Sequence, residues 1–181
     1  MTLLVLGIAL WIGAHLLKRL APDLRTSMGE KRGRGIIALV IVASLVMMVV
    51  GFRAAPHIDV WYPPSFFTHI NNLLMLLAVF LFAISESKGA LRAKIKHPQL
   101  YAVKTWAVAH LLVNGDLASI VLFGGMLFWA VMSVVLINRS GEFVPKEAGP
   151  AKRDIITVIA TLVAFVVISA IHSWLGYSPF A

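Results

Sequence analysis

The sequence predicts an all-α, polytopic membrane helix bundle of six transmembrane helices, and three observations predict it. Hydrophobic residues make up 60% of the 181-residue chain and charged residues 13%, where a soluble domain carries about 25% charge. Mean hydropathy is +0.89. The apolar residues gather in six runs, most of them close to the roughly 20 residues that an α-helix needs to cross the hydrocarbon core. Helices are the expected form because every backbone polar group must be paired within the bilayer. Six such runs leave room for a single membrane domain, residues 1–181, and for no separate soluble catalytic domain.

The runs follow one another with recognisable punctuation. The first, Thr2–Lys18, reads as a retained helix. Its cations Lys18 and Arg19 follow the apolar stretch, whereas a signal peptide carries them ahead of it, and no small-residue cleavage site comes after. Gly35–Phe52 is the second. Pro63 and Pro64 halt the connection before the third, Phe66–Ser85, which Ser65 is placed to cap. The fourth and shortest, Pro98–Val113, opens with Pro at the first helical position, where no N–H is needed. Asn114-Gly115 then turns the chain, and Asp116 caps the fifth run, Asp116–Ile137. Ile155–Trp174 is the sixth. Trp61, Tyr62, Trp174 and Tyr177 fall at one boundary, as an interfacial aromatic belt does. No internal repeat is visible, which argues against an inverted-repeat transporter.

Charge gives the orientation. The first connection holds Lys18, Arg19, Arg25, Lys31, Arg32 and Arg34. The third holds Lys88, Arg92, Lys94 and Lys96, with Lys104 just inside the next helix, and the fifth holds Arg139, Lys146, Lys152 and Arg153. The second has only Arg53 and the fourth has no cation. Odd connections are thus expected in the cytoplasm, with an N-out, C-out topology. The net charge of +8 is explained by topology, and nucleic acid is not an expected partner. The absence of cysteine excludes disulfides, thiolate metal sites, iron–sulfur clusters and covalent haem attachment.

Six histidines are the informative residues, because ionisable groups are costly in hydrocarbon and commonly functional there. His15 precedes Lys18 by three residues, about 4–5 Å of helix, and His110 follows Lys104 by six, about 9 Å. From these edges the two are expected to share a layer. A pair of neutral imidazoles on facing helices suits the axial positions of a haem iron. The same pair suits a transition metal if a third ligand is supplied. A lone intramembrane histidine also serves simply as a polar helix contact, worth on the order of 1 kcal/mol. Helical spacing puts Trp106, His110 and Asn114 on one face, so that Asn114 is expected to orient the imidazole and Trp106 to line an apolar pocket. Arg19, one turn beyond His15, is placed to neutralise a haem propionate. His97 reads as a helix-start residue, His57 as a solvated loop residue, and His69 and His172 as outer-boundary residues.

The run KHPQLYAVKTWAVAHLLVNGDLAS, residues 96–119, resembles the NnrU family of membrane proteins. That family includes bacterial proteins linked to denitrification and the plant 15-cis-ζ-carotene isomerase. The His97-Pro98-Gln99 segment followed by Trp106 and Ala109-His110 carries the resemblance. His15, the Gly29-Glu30 pair and the ending His172-Ser173-Trp174 are similar to family features as well. The resemblance implies a non-covalent haem b held by two histidines, placed on His15 and His110. It departs from the isomerase at Ala107, where that enzyme has a cysteine able to replace one imidazole, and at Leu16, where the plant pattern has Ser.

Three functions are therefore expected in order. The first is a haem-b-binding inner-membrane protein of denitrification, serving nitric oxide or nitrite reductase function or maturation through electron transfer or sensing, with a membrane redox or reductase partner. The second is a carotene-isomerase-like enzyme acting on a membrane-soluble polyene, a haem-dependent cis/trans isomerase. The third is a cofactor-free transporter or assembly factor, for which a submerged Asp116 is the best feature. Gly124-Gly125 would permit close helix approach.

Overall fold

Every apolar run folds as a helix in the computed structural model, which describes residues 1–141, 143–144 and 146–180. The helices are α1 (Thr2–Leu20), α2 (Pro22–Ser27), α3 (Glu30–Arg53), α4 (Phe67–Glu86), α5 (Pro98–Val113), α6 (Leu117–Ser140) and α7 (Lys152–Trp174), with a 3-10 turn at Leu91–Ala93. Among the described residues there is no β-strand, and a single antiparallel bridge joins Asp59 to Asp116.

Five helices, α1, α3, α4, α6 and α7, are long and apolar enough to cross a membrane, against the six expected. The difference is α5. Its 16 residues rise about 24 Å, short of the roughly 30 Å of hydrocarbon. The apolar side chains left outside agree with a lipid surround: Leu39 on α3 is 72% exposed and Ile156 on α7 is 65% exposed, an arrangement that water would not tolerate over whole helices. The short α2 is an element the sequence analysis did not foresee. Its signal is Pro22 at the first helical position with Asp23 in the first turn. Gly29 then enters α3 at φ 73°, backbone that only glycine adopts without strain.

The chain divides into two compact units. The first comprises Met1–Trp61 and Gly115–Trp129. Within it α1 and α3 run antiparallel in close contact, because Gly7 meets Met48 and Ser44 while Gly51 meets Leu4. The first half of α6 joins α1 in the same way, with Ile8 lying over Gly125; a β-carbon there would stand 2.7 Å from Ile8 Cγ2. The glycine pair expected to aid helix approach thus accommodates α1 at Gly125, and Gly124 has open space beside it. The loop after α3 is stitched to the turn before α6: Val60 N–H donates to the Gly115 carbonyl at 2.8 Å and Leu117 N–H to the Ile58 carbonyl at 2.9 Å.

Asp116 at this stitch caps α6 as expected, its Oδ1 accepting the Ser119 N–H at 2.9 Å. Burial by itself would raise its carboxyl. The hydrogen bonds from the Ser119 hydroxyl and N–H and from its own N–H, with His57 nearby, outweigh burial and hold it below the ordinary carboxylate range.

The second unit comprises Tyr62–Asn114 together with residues 130–180. Helix α4 packs against both α5 and α7. At one end the Asp154 carboxylate accepts the N–H groups of Ala90 and Leu91 at 3.2 and 3.3 Å, and the Thr157 hydroxyl donates to Ser87 at 2.9 Å. His97 Nε2 donates there to Asn138 Oδ1 at 3.0 Å, tying the start of α5 to the end of α6. At the opposite end Asn72 Nδ2 donates to the Pro179 carbonyl at 2.9 Å, which holds the segment after α7 against the start of α4.

Candidate functional site

The candidate histidines fall in both units, His15 in the first and His110 and His172 in the second. On α1, His15 stands one turn after Trp11, and its Nδ1 donates to the Trp11 carbonyl at 2.8 Å. The imidazole is packed between two indoles, with ring centroids 4.3 Å from Trp11 and 4.8 Å from Trp129. The indole nitrogens of Trp11 and Trp129 and the Nε of Arg19 are buried with no acceptor. Arg19 thus brings a partly buried guanidinium to the turn after His15.

On α5, His110 repeats this arrangement. Its Nδ1 donates to the Trp106 carbonyl at 2.9 Å and its ring lies 5.2 Å from the Trp106 ring. A carbonyl oxygen only accepts, so both neutral imidazoles carry their proton on Nδ1 and their lone pair on Nε2. That is the tautomer in which an imidazole ligates a metal through Nε2. The sequence around the two is also alike. Trp11-Ile12-Gly13-Ala14-His15-Leu16-Leu17 and Trp106-Ala107-Val108-Ala109-His110-Leu111-Leu112 match at five of seven positions. This short repeat was legible and is overlooked by a search for duplications the size of a whole supersecondary unit. His172 makes the same bond, Nδ1 to the Ile168 carbonyl at 2.8 Å, without a tryptophan.

The other histidines do different work. His97 is buried at the start of α5 and bonds Asn138, with the Phe143 ring 5.0 Å away. His57 is exposed and meets Asp59 at 3.0 Å. His69 is exposed on the first turn of α4. The amide of Asn114 donates to the backbone carbonyl of His110 at 2.8 Å and so closes the end of α5.

Trp106 lines an apolar pocket, as expected. A cleft of about 420 Å³ runs between α4, α5 and α7, walled by Met75, Val79, Phe82, Trp106 and Ile168 and reached by both His110 and His172. A smaller cavity of about 50 Å³ adjoins it and adds Asn71, Asn72, Ser169 and Pro179 to the lining. His110 therefore shares its level with His172. Lys104 lies six residues inside α5 and sets its ammonium over the Tyr101 ring at 3.9 Å. Measured from Pro98, where the helix begins, His110 stands about 18 Å along it. Among the described residues no three His, Cys, Asp or Glu side chains are grouped to hold a metal ion.

These features define a polytopic helical membrane protein that carries two tryptophan-backed histidines. The family model described as NnrU protein matches residues 3–179, so the chain belongs to the NnrU family. No curated protein and no solved structure matches it.

Proposed function

We propose that this NnrU-family protein is an inner-membrane component of bacterial denitrification with both termini outside, and that His15 and His110 are the residues that would hold a non-covalent haem b. The observation that carries the reading is the repeated Trp-x-x-Ala-His-Leu-Leu segment, in which each imidazole gives its Nδ1 proton to the tryptophan carbonyl one turn earlier. The donor set fits haem b: two nitrogen lone pairs, aromatic walls, and the buried, unpartnered Nε of Arg19 for a propionate. Haem held in this way would supply one-electron transfer or gas sensing. The chain's part is to fix the two tautomers through the Trp11 and Trp106 carbonyls and to keep water from the His15 ring with Trp129. Family membership supports the link to denitrification, and the reading expects a membrane nitrite or nitric oxide reductase as partner.

An optical spectrum of the detergent-purified protein, before and after dithionite, tests the cofactor. Low-spin b-type bands that vanish in His15→Ala and His110→Ala and persist in His57→Ala are the expected result. A protein that stays colourless after haem is added overturns it. A nitrate-respiring strain lacking the chain should accumulate nitrite or nitric oxide; unchanged denitrification would remove the physiological half.

A further inference from the structure

The cleft of the second unit has one polar end, and its hydrogen bonds fix which way that end reads. The Pro179 carbonyl can only accept, so Asn72 must turn its Nδ2 towards it, at 2.9 Å. Asn72 Oδ1 is then left to accept, and it takes the Asn71 Nδ2 at 3.1 Å. This relay leaves Asn71 Oδ1 as an acceptor that no group in the structure satisfies. Asn71 is only 8% exposed and lines the small cavity. A buried acceptor without a donor is costly to leave unpaired. Beside it in the same cavity is His172, whose Nδ1 is committed to the Ile168 carbonyl and whose Nε2 lone pair is therefore an acceptor as well.

We propose that this cleft binds a lipid-soluble hydroquinone, with its two ring hydroxyls donating one to Asn71 Oδ1 and the other to His172 Nε2. The ring then lies among Met75, Val79 and Trp106, and the tail runs towards Phe82, which is 50% exposed at the other end of the cleft. From Asn71 to Phe82 is about 16 Å of helix, long enough for a ring and a short tail. The alternatives fit less well. No Lys or Arg lines either cavity, so an anionic headgroup has no counter-charge. A hydrocarbon leaves Asn71 Oδ1 unsatisfied. The quinone form presents carbonyl lone pairs to lone pairs and is rejected on that account. The proposal uses Asn71 and His172, not the His110 nitrogen assigned to iron, and its test reads hydroquinone affinity where that of the haem reading reads a spectrum, so the two failures are distinguishable although His110 and Trp106 line the same cleft.

The test is equilibrium binding of a short-chain alkyl hydroquinone and of its quinone to the detergent-purified full chain, under anaerobic conditions. The hydroquinone should bind at least roughly tenfold more tightly, the scale of one or two hydrogen bonds to buried groups. Asn71→Leu and His172→Leu should each remove most of that preference, and His172→Gln, which keeps an acceptor, should retain part of it. Equal affinity for the two forms overturns the proposal, and so does binding of neither. A preference that survives in both leucine variants also overturns it, as does zinc uptake that displaces the hydroquinone. If Asn71→Leu fails to fold, judged by size exclusion and helical circular dichroism, the His172 pair decides alone.

Discussion

Gly51 of α3 lies against the backbone of Leu4 in α1, with no room between them for a β-carbon. A side chain can turn aside, but the backbone of a packed helix cannot. Gly51→Val should therefore force α1 and α3 apart at a cost of about 1–3 kcal/mol. The detergent melting temperature reads this. Gly124→Val is the control, because nothing stands within 4 Å of a β-carbon there. Equal effects from the two would show that the helix approach does not limit stability.

The cap on α6 makes a second prediction. Asp116→Ala should lose about 1 kcal/mol, and Asp116→Asn, which keeps an oxygen for the Ser119 N–H, should lose little. The carboxyl is held below its ordinary range, so its contribution is fully present above the ordinary carboxylate pKa. It is lost only as pH falls through the lowered value. Melting between pH 5 and 8 should accordingly show no contribution to pH dependence from Asp116. A difference between wild type and Asp116→Asn that grew across that interval would contradict the assignment.

Asp154 is the strongest tie at the opposite end of the second unit, because it satisfies the backbone of both Ala90 and Leu91. Asp154→Ala leaves two partly buried N–H groups without their acceptor, at roughly 1–3 kcal/mol. Trypsin should then cut faster in the connection that carries Lys88, Arg92, Lys94 and Lys96. Unchanged cutting would mean that Lys146 on the Ser85 carbonyl and the Gly149–Gly89 hydrogen bond hold the connection without it.

Asn114 separates helix capping from ligand orientation. Because its amide bonds the backbone carbonyl of His110, Asn114→Ala should lower the melting temperature slightly. It should leave the position of any haem bands where they were. A band shift would place Asn114 on the imidazole after all.

The helices were legible because their signals are local. Pro98 starts α5 and Asp116 caps α6 where the sequence put them, and every apolar run became a helix to within a few residues. The number of spans was less legible: α5 has the composition of a membrane helix but too few residues. The site was legible in residue type and not in grouping. His110 and His172 share a cleft because of how α5 and α7 are rotated about α4, and weakly amphipathic helices carry little sequence record of rotation. The matching Trp-x-x-Ala-His-Leu-Leu segments were in plain view. Asn71 could not have been singled out, since its unsatisfied oxygen is a product of a neighbour and of a carbonyl 107 positions further along the chain.

That last dependence has a practical side. An amide is reversible, offering oxygen or nitrogen according to which way it is turned, so the polarity of the cleft is not a property of Asn71 itself. It is imposed by Pro179 through Asn72. A chain ended after Tyr177 would release both amides to rotate, and the end of the cleft could invert from one that receives protons in hydrogen bonds to one that offers them. Ligand preference would then follow the C-terminal segment, and a purification tag placed there would alter selectivity without touching the cleft.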